Sequence, residues 1–309
     1  MESVEEVIPR TTEAQEILDK FGYYLDEFVN FGSHVIKWET DTARGSDEDL
    51  PLELLLRHFL ELLDSVSILA RNASIDPCKL ILRGMLEASF GIEYILEKNT
   101  HDRAMCFLLC HTHKKLKTYK KFDQTSSQGK KYQKDLNSDK SYKEIDLSKL
   151  PQTEIQKAIK NSESILRLPK YHNYEKEYQR SVKTGSKNPN WYSLFNGPRN
   201  IKDLADYLNR TGLYEILYRH WSGSIHATDI IDGNISSSKT GTVDFIQIRY
   251  LKDAQSVVSH TMNLALTVFQ LIIDHRIPTK KSEYTTWYLT VRDTFMEISS
   301  GKNNIIQIK

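Results

Sequence analysis

Glycine and proline are scarce in this chain of 309 residues, at 13 and 8. That scarcity disfavours an all-β sandwich, whose many turns consume both. Three cysteines are too few, and odd in number, for a disulfide scaffold, and they suit a reducing compartment. The most apolar stretch, 257–273, is interrupted by His260, Asn263 and Gln270. It also falls short of the roughly 20 apolar residues that a spanning helix needs. At the N-terminus, Glu2, Glu5 and Glu6 stand where a secretory leader needs basic residues and then an apolar run. The expectation is a cytoplasmic protein with no membrane partner. No Gly-rich phosphate loop, G-x-S-x-G elbow or H-E-x-x-H is found, which sets aside P-loop, kinase, hydrolase-elbow and zincin chemistry.

Charge is abundant but unevenly placed. Lys+Arg number 42 and Asp+Glu 41, a formal net charge of +1. Residues 1–76, however, hold 17 acidic and 6 basic side chains, a net of −11, whereas 114–187 hold 19 basic and 9 acidic, a net of +10. Such a split fits either faces that pair with one another or a basic surface kept for phosphate.

Helical periodicity dominates. Leu52, Leu55, Leu56, Phe59, Leu62, Leu63, Val66 and Leu69 recur at three- and four-residue steps. Asp76-Pro77 opens a second helix with apolar Leu80, Ile81, Met85, Phe90, Tyr94 and Ile95, and a third covers 101–122. The polar, Ser/Lys/Asp-rich stretch 123–150 lacks clear periodicity and reads as an exposed insertion, and 169–200 reads as irregular. Helices are expected again over 151–168, 200–211, 213–227, 251–276 and 283–299, with a short extended segment at 243–248. The pattern predicts an all-α bundle with a basic polar insertion. Its parts are an acidic helical segment (1–48), the first half of a helical core (49–122), the basic insertion (123–190), and the second half of the core (191–300).

Three constellations carry candidate chemistry. In Tyr218-Arg219-His220-Trp221-Ser222-Gly223-Ser224-Ile225-His226, a continuous helix would put Arg219 and His226 two turns apart on one face with Ser222 between them. Histidine titrates near neutrality and can shuttle a proton, and arginine can hold two phosphate oxygens. Together they are what metal-free phosphodiester cleavage requires. An ion-paired surface arginine and a satisfied buried histidine remain the plain alternative. Arg83 and Glu87 form an i,i+4 pair in an otherwise apolar helix, either as a structural ion pair or as pocket lining. Lys114, Lys115, Lys120 and Lys121, with Lys117 among them and Tyr119 close by, suit a phosphate backbone, or simply solubility. Cys106, Cys110, His111 and His113 lack the spacing of a zinc site, and the two cysteines, at i,i+4 on an apolar helix face, read as core residues, so no metal or other cofactor is expected.

Two segments, LILRGMLEASFGIEYILE and the later WYSLFNGPRNIKDLADYLNRTGLYEILYRHWSGSIHA, resemble a bacterial helical family labelled a domain of unknown function. Its members pair an R-x-x-x-E helix with a Tyr…Ser-x-x-x-His helix, here Arg83/Glu87 and Tyr218, Ser222, His226. The Arg219…His226 spacing also resembles the HEPN superfamily, helical nucleotide-acting proteins with an R-x(4–6)-H motif. This resemblance implies a metal-independent endoribonuclease, a toxin or phage-defence effector, working as a homodimer with a composite site and a possible regulatory protein partner. His226 would be the general acid/base, Arg219 the phosphate clamp and His220 a secondary polar contact, with RNA as partner. The alternative is a non-catalytic module that binds nucleic acid, nucleotide or protein through the basic 114–187 region.

Overall fold

Each helix of the core follows from where its apolar side chains fall. The structure, a computed structural model, describes residues 15–42, 44–185, 187–219, 221, 235–237 and 243–300. Helix α1 (Gln15–Asp41) buries Leu18, Phe21, Leu25, Phe28, Phe31 and Val35, and α2 (Asp49–Arg71) buries Leu52, Leu56, Phe59, Leu63 and Val66. Both sets run at steps of three and four, a single stripe on each cylinder. α2 starts where the Asp49 carboxylate reaches back to accept the Ser46 N–H at 2.7 Å. α3 (Ile75–Glu97) packs on α2 and on α10 (Ala254–His275), and α10 also meets α1 and α11 (Lys281–Ser299). A Cβ on Gly32 would land 2.3 Å from a Leu60 methyl and 2.8 Å from the Phe269 ring, so glycine is what lets α1 approach α2 and α10 there. Phe31 stacks on Trp287 at 3.9 Å and 12°, joining α11 to this core.

At the end of α10 lies a buried ion cluster. Arg276, 6% exposed, donates to Glu39 of α1 at 2.7 Å and to Asp49 of α2, with Glu48 at 3.8 Å. Burial and the neighbouring Glu39 and Asp49 charges raise the Glu53 carboxyl. α10 is the one described helix long and apolar enough to cross a bilayer. Val257, Val258, Leu264, Ala265, Val268, Phe269, Ile272 and Ile273 are nonetheless buried among the helices around it.

Contacts divide the chain into two units, 1–98 with 201–309, and 99–200. The first contains the helices above, α8 (Ile201–Tyr207), a single turn α9 (Thr211–Leu213) that runs into a π-helical turn over Tyr214–Arg219, and a two-stranded antiparallel ribbon. In that ribbon Ile235 of β1 (Ile235–Ser237) faces Phe245 of β2 (Val243–Phe245). The second unit holds α4 (Thr100–Phe122), α5 (Ser127–Ser138), α6 (Gln152–Leu166) and α7 (His172–Lys183), around a core of Met105, Cys106, Leu109, Tyr171, Tyr178 and Leu194. α4 and the basic stretch after it therefore belong to one compact unit. Apart from the ribbon, the described chain is all-α.

Three local differences from the sequence reading have physical causes. The stretch 123–150 does form a helix, α5, although it lacks an apolar period. Ser126 caps it through the Gly129 N–H at 2.9 Å, and two glutamines satisfy the loop after it. Gln133 donates to the Ile145 carbonyl at 2.6 Å and accepts the Leu147 N–H at 2.7 Å, while Gln152 donates to the Leu147 carbonyl at 2.8 Å. Within 169–200, α7 forms because Tyr178 and Val182, with Tyr171 just before the helix, reach the core of its unit from an otherwise charged sequence. In place of a regular α-helix from 213 onward, the chain takes the wider π winding over Tyr214–Arg219.

Candidate functional site

The first unit assembles part of the predicted constellation. Arg83 donates from Nη2 to the Tyr218 hydroxyl, its guanidinium lies 3.7 Å from the Tyr218 ring centroid, and its Nε is 3.5 Å from Glu87 Oε1. Tyr214 stacks on Tyr218 at 5.0 Å, as the π-turn carries both rings along one side. Burial, and then the Glu87 charge, raise the Tyr218 phenol above the ordinary tyrosine range. One turn earlier on α3, Lys79 bonds Asp76 and Asp253 at 2.8 Å each and lies 5.9 Å from the Trp221 ring centroid. Burial alone would lower the Lys79 ammonium, but the bonds to Asp253 and Asp76 outweigh it and hold it raised. Trp221 meets His260 of α10 edge-on at 5.7 Å, and burial lowers that imidazole.

Arg219 ends the π-turn with 70% of its side chain exposed and Glu215 at 3.3 Å. His220, Ser222 and His226 lie outside the described residues. On this face each cation thus stands beside a carboxylate: Lys79 with Asp76 and Asp253, Arg83 with Glu87, Arg219 with Glu215. Such a face holds its own segments together and offers little net charge to an anion.

The second unit is different. A cleft of about 580 Å³ opens beside α4, lined by Phe107, Cys110, His111, Lys114, Lys117, Thr118, Lys121, Tyr178, Asn188, Pro189, Asn190 and Trp191. Among the described residues its lining contains no Asp or Glu. At about 100° per residue on an α-helix, Lys114, Lys117 and Lys121 fall on one stripe, whereas Lys115 and Lys120 point elsewhere. The structure agrees: Lys114 and Lys121 line the cleft, Lys115 is exposed outside it, and Lys120 bonds Glu163 of α6 at 2.9 Å. Lys117 was the signal hidden in the run, recoverable from its i−3 and i+4 partners, Lys114 and Lys121.

Lys117 organises the cleft. Its ammonium reaches the Tyr178 hydroxyl at 3.3 Å, the Lys187 carbonyl at 3.0 Å and Asn188 Oδ1. Those three acceptors use its three donors. Tyr178 is itself stacked on His113 at 3.8 Å and 1°, and His113 bonds Glu175 at 2.7 Å. Phe107 and Tyr192 each meet the Trp191 ring at 74°. Burial, and then Lys115 and Lys114, lower His111. Cys106 sits in the core of its unit and Cys110 on the cleft floor, and burial pushes both thiols up to about 12. They are not thiolates at neutral pH, and among the described residues no three His, Cys, Asp or Glu gather as metal ligands.

A family model described as "Family of unknown function (DUF5677)" matches residues 49–241. No curated protein and no solved structure matches the chain.

Proposed function

The chain belongs to the DUF5677 family, whose function is unknown, and from that premise we propose that it binds single-stranded RNA through the basic face of α4. The observation that carries this reading is the cleft with Lys114, Lys117 and Lys121 on one helical stripe, aromatic rings beside them and no carboxylate among the described lining residues. Lysines neutralise phosphates and release counterions, and aromatic side chains stack on unpaired bases. The excess of basic residues over 114–187 adds long-range attraction. The test is the affinity of a short labelled RNA as salt is raised. Binding should weaken steeply, with a log–log slope of about −0.7 per phosphate neutralised, and should be lost in Lys114→Gln/Lys121→Gln. Affinity that does not change with salt would refute it.

A second reading, metal-independent RNA cleavage in a HEPN-like bundle, is favoured by one observation. The Arg83–Tyr218 contact anchors a π-turn that ends in an exposed Arg219, and π-turns recur at functional sites. Arg219 would clamp phosphate and His226 would be the general acid/base, a role typically worth about 10²–10⁴ in rate. RNA incubated in chelator should then be cleaved by the wild type and not by His226→Ala, and equal cleavage by both would remove His226 from the mechanism.

A further inference from the structure

Two side-chain amides in the α4 cleft are left half-used in complementary ways. Asn188 Oδ1 accepts from Lys117, a group that can only donate, so its Nδ2 is the amide end turned away from that bond. Asn190 Nδ2 donates at 3.2 Å to the Arg199 carbonyl, a group that can only accept, so its Oδ1 is the end left over. The two orientations follow from the chemistry of the partners. Among the described residues, Asn188 Nδ2 and Asn190 Oδ1 have no partner. Both residues line the cleft, two positions apart in the chain, and together they offer one donor and one acceptor, the pattern that the edge of a nucleobase matches.

Trp191 follows directly after Asn190 and lines the same cleft. Lys114, whose ammonium has no partner among the described residues, and Lys121 supply positive charge on the α4 wall. Lys117, with all three donors engaged, contributes its charge and fixes residues 187 and 188 in place. The volume of about 580 Å³ falls within the roughly 300–1,000 Å³ of small-molecule sites.

We infer that this cleft is a subsite for one nucleotide unit, with the base against Trp191, the base edge on Asn188 and Asn190, and the phosphate on Lys114 and Lys121. A base-paired duplex is excluded as the occupant because its bases are stacked and their edges paired. This rests on the RNA-binding reading above and adds to it a base-recognising pocket that generic attraction for polyanions does not need. A free nucleotide and one residue of a strand share this chemistry, and the test separates them.

The experiment is calorimetric titration of the full chain with adenosine 5′-monophosphate, uridine 5′-monophosphate, ribose 5-phosphate, inorganic phosphate and a short single-stranded RNA. At least one nucleotide should bind about tenfold or more tightly than ribose 5-phosphate, the stacking contribution of a base. Trp191→Leu should remove that advantage while leaving the affinity for inorganic phosphate unchanged, and Trp191→Phe should restore most of it. Asn188→Ala and Asn190→Ala should alter the ratio of adenosine to uridine nucleotide affinity. A strand that binds more tightly than either nucleotide and competes with it identifies RNA as the source, whereas a strand that binds no better identifies the free nucleotide. Equal affinity for nucleotide, ribose 5-phosphate and phosphate overturns the subsite while salt-dependent RNA binding stands. Absence of salt-dependent RNA binding together with absence of nucleotide binding overturns both.

Discussion

The guanidinium of Arg83 lies 3.7 Å from the ring centroid of Tyr218, 135 residues further along the chain, and donates to its hydroxyl. One side chain of α3 thereby holds both the face and the polar tip of a residue in the π-turn. Tyr218→Phe keeps the ring under the cation but removes the acceptor, and should cost about 1 kcal/mol. Arg83→Ala removes both interactions and should cost more, with faster amide hydrogen exchange over 214–219. Denaturant unfolding and exchange measurements on the two variants check this, and an equal cost for both would mean that the stacked cation contributes nothing.

Arg276 should be among the most sensitive positions of the first unit. Glu39 is 1% exposed on its side chain and bonds Arg276, while its Oε2 has no hydrogen-bond partner among the described residues. Arg276→Met strands this carboxylate and should destabilise by about 3–5 kcal/mol. Arg276→Met/Glu39→Leu removes both charges and should recover a large part of that loss. Urea midpoints of the three proteins decide the matter, and a double variant no better than the single one would contradict it.

Gly32→Ala should be costly although the change is one methyl. The new carbon would meet Leu60 and Phe269 within van der Waals distance, and such overpacking costs about 1–3 kcal/mol. A melting temperature unchanged from wild type would show that α1 can shift away freely.

His260 gives stability a pH dependence of defined sign. Burial holds its folded pKa below the ordinary histidine value of about 6.5. The unfolded chain therefore takes up the proton first. The contribution is full above the ordinary value and is lost as pH falls through it towards the lower folded value. His260→Gln should flatten the decline in unfolding free energy between neutral and mildly acidic pH relative to wild type. Parallel pH profiles for the two proteins would remove His260 as the cause.

Lys120 and Lys114 are both lysines of α4, yet they should behave differently. Lys120 is tied to Glu163, and Lys114 lines the cleft. Lys114→Gln should reduce the magnitude of the salt slope of RNA binding by about 0.7, and Lys120→Gln should leave it within error. Equal effects would spread the binding surface around α4 instead of along one stripe.

Much of this molecule was legible in the order of its residues. The leucine and phenylalanine steps of α2 and the Asp76-Pro77 opening of α3 are local signals, and each helix appears there, although Ser74 and not Asp76 takes the N-cap position of α3. So is the pairing of Arg83 with Glu87, which needs only one helical turn. The approach of Tyr218 to Arg83 is long-range, and a family resemblance, not a spacing, placed them in one constellation. α5 was hidden because glutamine side chains, and not an apolar stripe, secure the loop that follows it. The cleft was half visible. The lysine run marked α4, but choosing Lys117 over Lys115 and Lys120 required reading the run at helical phase, and Asn188, Asn190 and Trp191 reach it only through the fold of a segment rich in Asn and Pro.

The division at residues 98 and 200 makes the first unit discontinuous along the chain, and this sets an order of events during synthesis. α3 buries its apolar face partly against α10, yet roughly 160 residues separate the end of one from the start of the other, a delay of about 10–30 s at a synthesis rate of about 5–20 residues per second. During that interval α1, α2 and α3 can associate, but the side of α3 destined for α10 stays open to water, while the contiguous unit between them already has every residue of its own core. The nascent chain is therefore most exposed to chaperones and proteases before α10 emerges, and truncations that end short of α10 should be degraded more readily than their length alone would predict.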